Sequence, residues 1–105
     1  MREHPGELSL LATGSLTNLK GAQLIDADFF RNVADVALMG GITESLVING
    51  RIMNELNFSC DGAAALRVLA SAADGTPVTI ATAQNCLPAF FTREDFTRRL
   101  GKDGW

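Results

Sequence analysis

Tyrosine is absent from this 105-residue sequence, histidine and tryptophan occur once each, and cysteine and proline are scarce at two and three. Each shortage argues against a class of function. The single histidine, His4, lies in a polar lead-in with no orienting group beside it, so a catalytic imidazole base has no support. The cysteines, Cys60 and Cys86, form no CxxC pair and have no second ligand cluster nearby. This spacing argues against structural zinc and for reduced thiols. No complete cofactor, metal or catalytic motif is present, so neither a cofactor nor a metal is expected. No apolar run approaches the roughly 18 residues of a membrane helix, and residues 8–12 are too short, and too close behind Glu7, to be a secretory core. Charged residues make up 20% of the chain, against a usual figure of about 25%. The net charge of −3 disfavours non-specific contact with nucleic acid or an anionic membrane. These features predict a cytoplasmic protein.

Apolar residues account for 47% of the chain, enough for one domain that buries very roughly two thirds of its unfolded surface. The stretch that organises the rest spans residues 43–83, where Asn49-Gly50 separates two apolar-rich runs. Both central residues of a type I′ turn need positive φ, which Asn and Gly tolerate, so a β-hairpin is expected. A two-residue turn pairs Ile48 with Arg51, Val47 with Ile52, Leu46 with Met53, Ser45 with Asn54 and Glu44 with Glu55. Both faces of this hairpin carry apolar pairs, which calls for a covering element or a partner chain. The Glu44–Glu55 pair is read as two splayed, solvated carboxylates rather than a cation site.

Capping signals mark three helices. Asp26 or Asp28 can start the first, with Phe29, Phe30, Val33, Val36 and Ala37 at helical spacing and Gly40-Gly41 as the stop. The two aspartates are read as helix caps rather than metal ligands, since no third acid lies nearby. Asp61 caps the second, whose buried face is expected to hold Ala65, Leu66, Leu69, Ala70 and Ala73 before Asp74-Gly75 ends it. Thr92 caps the third with Asp95 in a capping box and Phe91 facing Phe96 as a staple. Arg98, Arg99 and Lys102 then complement the helix dipole, and Gly101 is the stop. Strands are expected over residues 8–13 and 78–83, with a short extended run at 22–25.

Strand, helix, strand, strand, helix, strand is the split-βαβ order, so the predicted fold is α+β, a ferredoxin-like antiparallel sheet with two packed helices, an N-terminal extended piece and a C-terminal helix. Its core would include Phe30, Val33, Ile52, Leu56, Leu66 and Leu69. In that topology Cys60, Asp61, Gly62, Asn85 and Cys86 share one edge of the sheet and form the candidate ligand site, with Cys60 favoured as a thiolate by the helix start behind it. No catalytic residue is assigned. An RNA-binding sheet is excluded by the lack of stacking aromatics on the central strands. Residues 25–48 resemble, in order of elements, the first half of ACT amino-acid-binding domains, although Asp28 or Phe29 stands where that family has a glycine. The resemblance implies binding of a small metabolite at the strand-to-helix turn.

Sparse charge, a two-sided hairpin and an aromatic C-terminus together predict a homodimer or higher symmetric oligomer with Leu46, Met53, Phe91, Phe96, Leu100 and Trp105 at the interface. The function expected from these residues is a non-enzymatic interaction or assembly module. A small-molecule-binding regulatory domain is the alternative, followed by a small enzyme working around Cys60 and neighbouring acids.

Overall fold

A computed structural model describes residues 3–72 and 75–101. Three strands, β1 (Ser9–Ala12), β2 (Asp35–Met39) and β5 (Val78–Ala81), form a parallel sheet in the order β1-β2-β5. Helix α1 (Thr17–Ile25) and a 3-10 turn (Phe30–Asn32) link β1 to β2. Between β2 and β5 come a separate hairpin, β3 (Val47–Ile48) and β4 (Arg51–Ile52), then the short α2 (Leu56–Ser59) and α3 (Gly62–Ala72). Beyond β5 lie the short α4 (Ala83–Cys86) and α5 (Arg93–Leu100).

This is an α/β arrangement, and it overturns the ferredoxin-like antiparallel expectation. The difference begins at β2. Its sequence, DVALM, carries four apolar residues in a row, so although burial alternates along the strand, no polar residue marks its less buried face. Periodicity cannot tell such a run from a buried helix, so Val36 and Ala37 read as a continuation of a helix begun by Phe29 and Phe30. The preceding residues make only one 3-10 turn, and the Asp26 side chain accepts from the Asp28 N–H as a local turn rather than a helix cap. The ACT-like order of elements fails with it, because no helix fills residues 28–39. Residues 22–25 form the end of α1, not an extended run. That helix starts without any side-chain cap, so its N-terminus leaves no local mark in the sequence.

Both α1 and α3 lie on one face of the sheet and pack against each other. Leu16 and Leu19 from the first, and Ala64, Ala65 and Val68 from the second, meet Leu10, Val36, Leu38 and Val78 of the strands. Strand register places Leu10, Val36 and Val78 abreast on that face, and Leu11, Ala37 and Thr79 abreast on the other. On the opposite face Leu11 is 77% exposed. Phe30 and Val33 are buried as expected, and Leu69 packs at the edge of the core. Leu66, Ile52 and Leu56 are 74%, 79% and 68% exposed, contrary to expectation. The true inward face of α3 is Ala64, Ala65 and Val68, which pack in the core, while Arg67 and Ser71 both bond to Gln23 of α1. Ala73 and Asp74, expected at the end of this helix, lie outside the described residues.

The local signals fare better. Asn49 and Gly50 have φ of 50° and 74°, and Val47 pairs with Ile52 and Ile48 with Arg51 in the expected register. One further bond, from the Met53 N–H to the Leu46 carbonyl, ends the ladder. Asp61 Oδ1 accepts from the Ala64 N–H at 2.9 Å, and Thr92 Oγ1 accepts from the Asp95 N–H at 3.0 Å, so both caps form. Among the described residues no helix is long and apolar enough to cross a membrane.

Candidate active site

In open sheets of parallel strands, ligands sit in the crevice outside the carboxyl ends of the strands. A cleft of about 460 Å³ lies there, beside Met39 at the end of β2 and Ala83 just past β5. Leu46, Ile48 and Met53 of the hairpin form one wall, while Cys86 and Leu87 with Phe90 form another. Asn54, Glu55 and Asn57 supply the polar groups.

Glu55 is the one buried charged residue among those described, at 7% exposure. It stands just before α2 in extended backbone, and both of its oxygens accept from that helix: Oε1 from the Asn57 N–H at 2.6 Å and Oε2 from the Phe58 N–H at 3.0 Å. An ionised carboxylate has about four lone-pair positions, so acceptor capacity is left for a hydroxyl or amine in the cleft. Asn57 donates from Nδ2 to the Met39 carbonyl at 2.9 Å and the Thr13 carbonyl at 3.1 Å. Its side chain thereby ties the ends of β1 and β2 together. Gly40 lets Phe58 pack close to the same strand end, since a Cβ there would fall 2.3 Å from the ring. Strand ends, helix start and polar groups are thus held as one unit.

The site foreseen from the sequence is not assembled. Cys60, Asp61 and Gly62 surround the start of α3 and do not line the cleft, because the short α2 comes between the hairpin and α3. Cys60 is exposed. Asp61 bonds to Lys20 Nζ at 3.1 Å and to Thr17 Oγ1 at 2.9 Å, linking α3 to α1. The Ala64 N–H holds its carboxyl below the ordinary carboxylate range, with help from Lys20 and Thr17. Asn85 is exposed, its Oδ1 accepting from the Thr82 N–H and hydroxyl at the start of α4. Cys86 alone of that group lines the cleft, as a free thiol.

Leu46 and Met53, expected at a subunit interface, line the cleft instead. Phe91, Phe96 and Leu100 remain exposed on and before α5, with the Arg99 guanidinium 5.9 Å from the Phe91 ring centroid. Trp105 and Lys102 lie outside the described residues. Glu44 and Glu55 do not face each other as a solvated pair, since Glu55 turns inward to cap α2. The signal for that turn is the cluster Asn54, Glu55, Asn57, which breaks the apolar pattern just past the hairpin. Among the described residues no group of three or more His, Cys, Asp or Glu converges on one point.

Comparison with known proteins gives a consistent picture. The family profile described as inosine-uridine preferring nucleoside hydrolase matches residues 1–104. Over 72 residues the chain is 38% identical to "Probable uridine nucleosidase 2" of Arabidopsis thaliana, covering 67% of this chain and 21% of that protein. Over 80 residues it is 40% identical to "Uridine nucleosidase 1" of the same plant, covering 76% of this chain and 24% of that protein. The chain therefore spans about a fifth to a quarter of the length of these curated relatives. No solved structure matches it. These matches overturn the expectation of a non-enzymatic interaction module, because the relatives are enzymes.

Proposed function

This chain belongs to the inosine-uridine preferring nucleoside hydrolase family, and from that premise we propose that it forms the nucleoside-holding part of an enzyme that hydrolyses an N-glycosidic bond. The observation that carries this reading is the Glu55–Asn57 pair at the carboxyl ends of the parallel strands, facing a mainly apolar cleft. Free acceptor positions on Glu55 suit sugar hydroxyls. The walls formed by Met39, Met53, Leu87 and Phe90 suit the flat, less polar base.

Cleavage of a glycosidic bond requires an activated water and stabilisation of the departing base. Both oxygens of Glu55 are engaged by backbone N–H groups that fix the carboxyl group in place, so the residue is fitted to hold and orient the sugar. Its place in the reaction is to fix the sugar against the strand ends, where a small displacement would cost much of the rate.

The further properties proposed with this function are a cytoplasmic location, consistent with two free thiols, organisation of the 105 residues as one domain, and self-association through the exposed Phe91 and Leu100.

Titration with uridine and inosine, followed residue by residue by NMR, tests the binding reading. Both nucleosides are expected to perturb Met39, Glu55, Asn57 and Cys86, and Glu55→Gln should weaken binding by roughly tenfold, the value of one hydrogen bond to a charged group. Perturbations confined to α1 or α5, or equal affinity in the folded variant, would overturn it.

A further inference from the structure

The limb of the hairpin that leads out of β2 runs between two open spaces. On one side is the cleft beside Glu55; on the other is a second cavity of about 530 Å³ lined by Glu44, Val47, Gln84 and Pro88. Leu46 and Leu87 border both. A segment with space on either side is held by its anchors, which here are the buried Leu46 side chain and a few hydrogen bonds at its base. The ladder of the parallel sheet continues just past its end, through the Gly40 N–H to the Ala81 carbonyl and the Ala83 N–H to the Gly41 carbonyl, both at 3.0 Å. Next comes a single side chain. Gln84 Oε1 accepts from the Thr43 N–H at 3.1 Å, and its Nε2 donates to the Glu44 carbonyl at 2.9 Å. One amide thus takes the place of a neighbouring strand for two consecutive residues. Beyond it the hairpin is, among the described residues, paired only to itself, over two residue pairs and one further bond, and a two-stranded hairpin alone is marginally stable in water.

The base of this limb also contains a pivot. Gly41 has φ of 74°, and Gly40 beside it faces the Phe58 ring without a Cβ. Residues that enter the left-handed region without strain can change their backbone angles at low cost. At the other end of the hairpin, Glu55 and Asn57 are fixed to α2 and the strand ends. The wall carrying Leu46, Ile48 and Met53 is therefore pinned at Glu55 and held near Gly41 by Gln84.

We propose that the Gln84 amide is a positioning residue that latches the β3–β4 hairpin and so sets the width of the Glu55 cleft, the hairpin swinging about Gly41 when the latch opens. The functional weight of this motion rests on the nucleoside-binding reading above. The motion itself does not, so the decisive measurement uses no nucleoside.

Cys86 lines the cleft opposite the hairpin wall, and Cys60 is exposed elsewhere, which gives a reporter and an internal reference in one molecule. Alkylation by iodoacetamide, with both sites quantified by mass spectrometry, is expected to show the Cys86 to Cys60 rate ratio rising about fivefold in Gln84→Ala, the shift in opening that follows from losing two exposed hydrogen bonds at the low end of their usual net worth. Gln84→Met keeps the length of the side chain and removes both bonds. It should raise the ratio to a similar extent, and it serves as the measurement if the alanine variant does not fold. Hydrogen exchange at the hairpin amides should accelerate in parallel, while β2 amides stay protected. An unchanged ratio in a folded variant, or acceleration spread evenly over the sheet, would overturn the latch. Protection of Cys86 by uridine in the wild type would add the functional consequence; its absence alongside an intact Gln84 effect would count against the nucleoside reading only.

Discussion

Beneath α1 and α3, the side chains of Leu16, Val36, Leu38 and Val68 are almost wholly removed from water, whereas in the hairpin Val47 and Ile52 are 55% and 79% exposed. The two regions use the same kinds of residue. They differ in how many elements converge. Two helices and three strands close over the first, so its apolar side chains meet neighbours on every side. The hairpin forms its own two-stranded sheet, and past the buried Leu46 its inward face borders the cleft instead of a packed layer. Burial and close packing provide stability in the first region. Open volume with a few fixed polar groups provides a binding site in the second. Glu55 and Asn57 lie at the junction, where the rigid region can hold them still while the open region admits a ligand.

The comparison can be broken most directly at Leu38, which is 2% exposed in the middle of the covered face. Leu38→Ala should cost about 2 to 5 kcal/mol of folding stability, from lost burial and the cavity left behind. Chemical denaturation giving less than about half a kcal/mol, the range of an ordinary surface change, would mean that the helix layer is not the main source of stability.

A smaller effect is expected at the junction. Gly40→Ala places a methyl group 2.3 Å from the Phe58 ring, so the ring must move, and overpacking of this kind costs about 1 to 3 kcal/mol. Because Phe58 follows Asn57, the variant should also disturb the amide signals of Glu55 and Asn57 more than those of α5. A uniform loss of stability with those signals unchanged would separate the site from the strand end.

Asp61 tests whether the helix layer depends on pH. Its folded carboxyl titrates below the ordinary value, so its stabilising contribution is fully present above about pH 4 and is lost as the pH falls through the lowered folded value. Asp61→Asn should therefore be less stable than wild type at neutral pH, and the gap should close on acidification below that range. A gap that stays constant down to about pH 2 would assign the effect to packing alone.

The smallest change is expected at Leu66, 74% exposed on α3. Leu66→Ala should shift stability by no more than about 0.5 kcal/mol. A cost like that of Leu38→Ala would show that another surface covers this helix face.

Local chemistry is legible in the sequence by itself. The Asn49-Gly50 turn and the caps at Asp61 and Thr92 depend on φ preferences and side-chain oxygens within three or four residues, and each forms where the sequence indicates. Of the candidate site, only Cys86 is found this way, and its partners in the cleft are not. What tertiary structure alone decides is the identity of β2 and the position of Glu55. A run of four apolar residues, Val36 to Met39, reads equally as strand or helix until its neighbours β1 and β5 supply hydrogen bonds on both sides. Glu55 likewise becomes a buried capping carboxylate only when Asn57 reaches Thr13, 44 residues away in the chain, and Met39, 18 away. No local preference encodes contacts over such separations, because they exist only once the strands are already side by side.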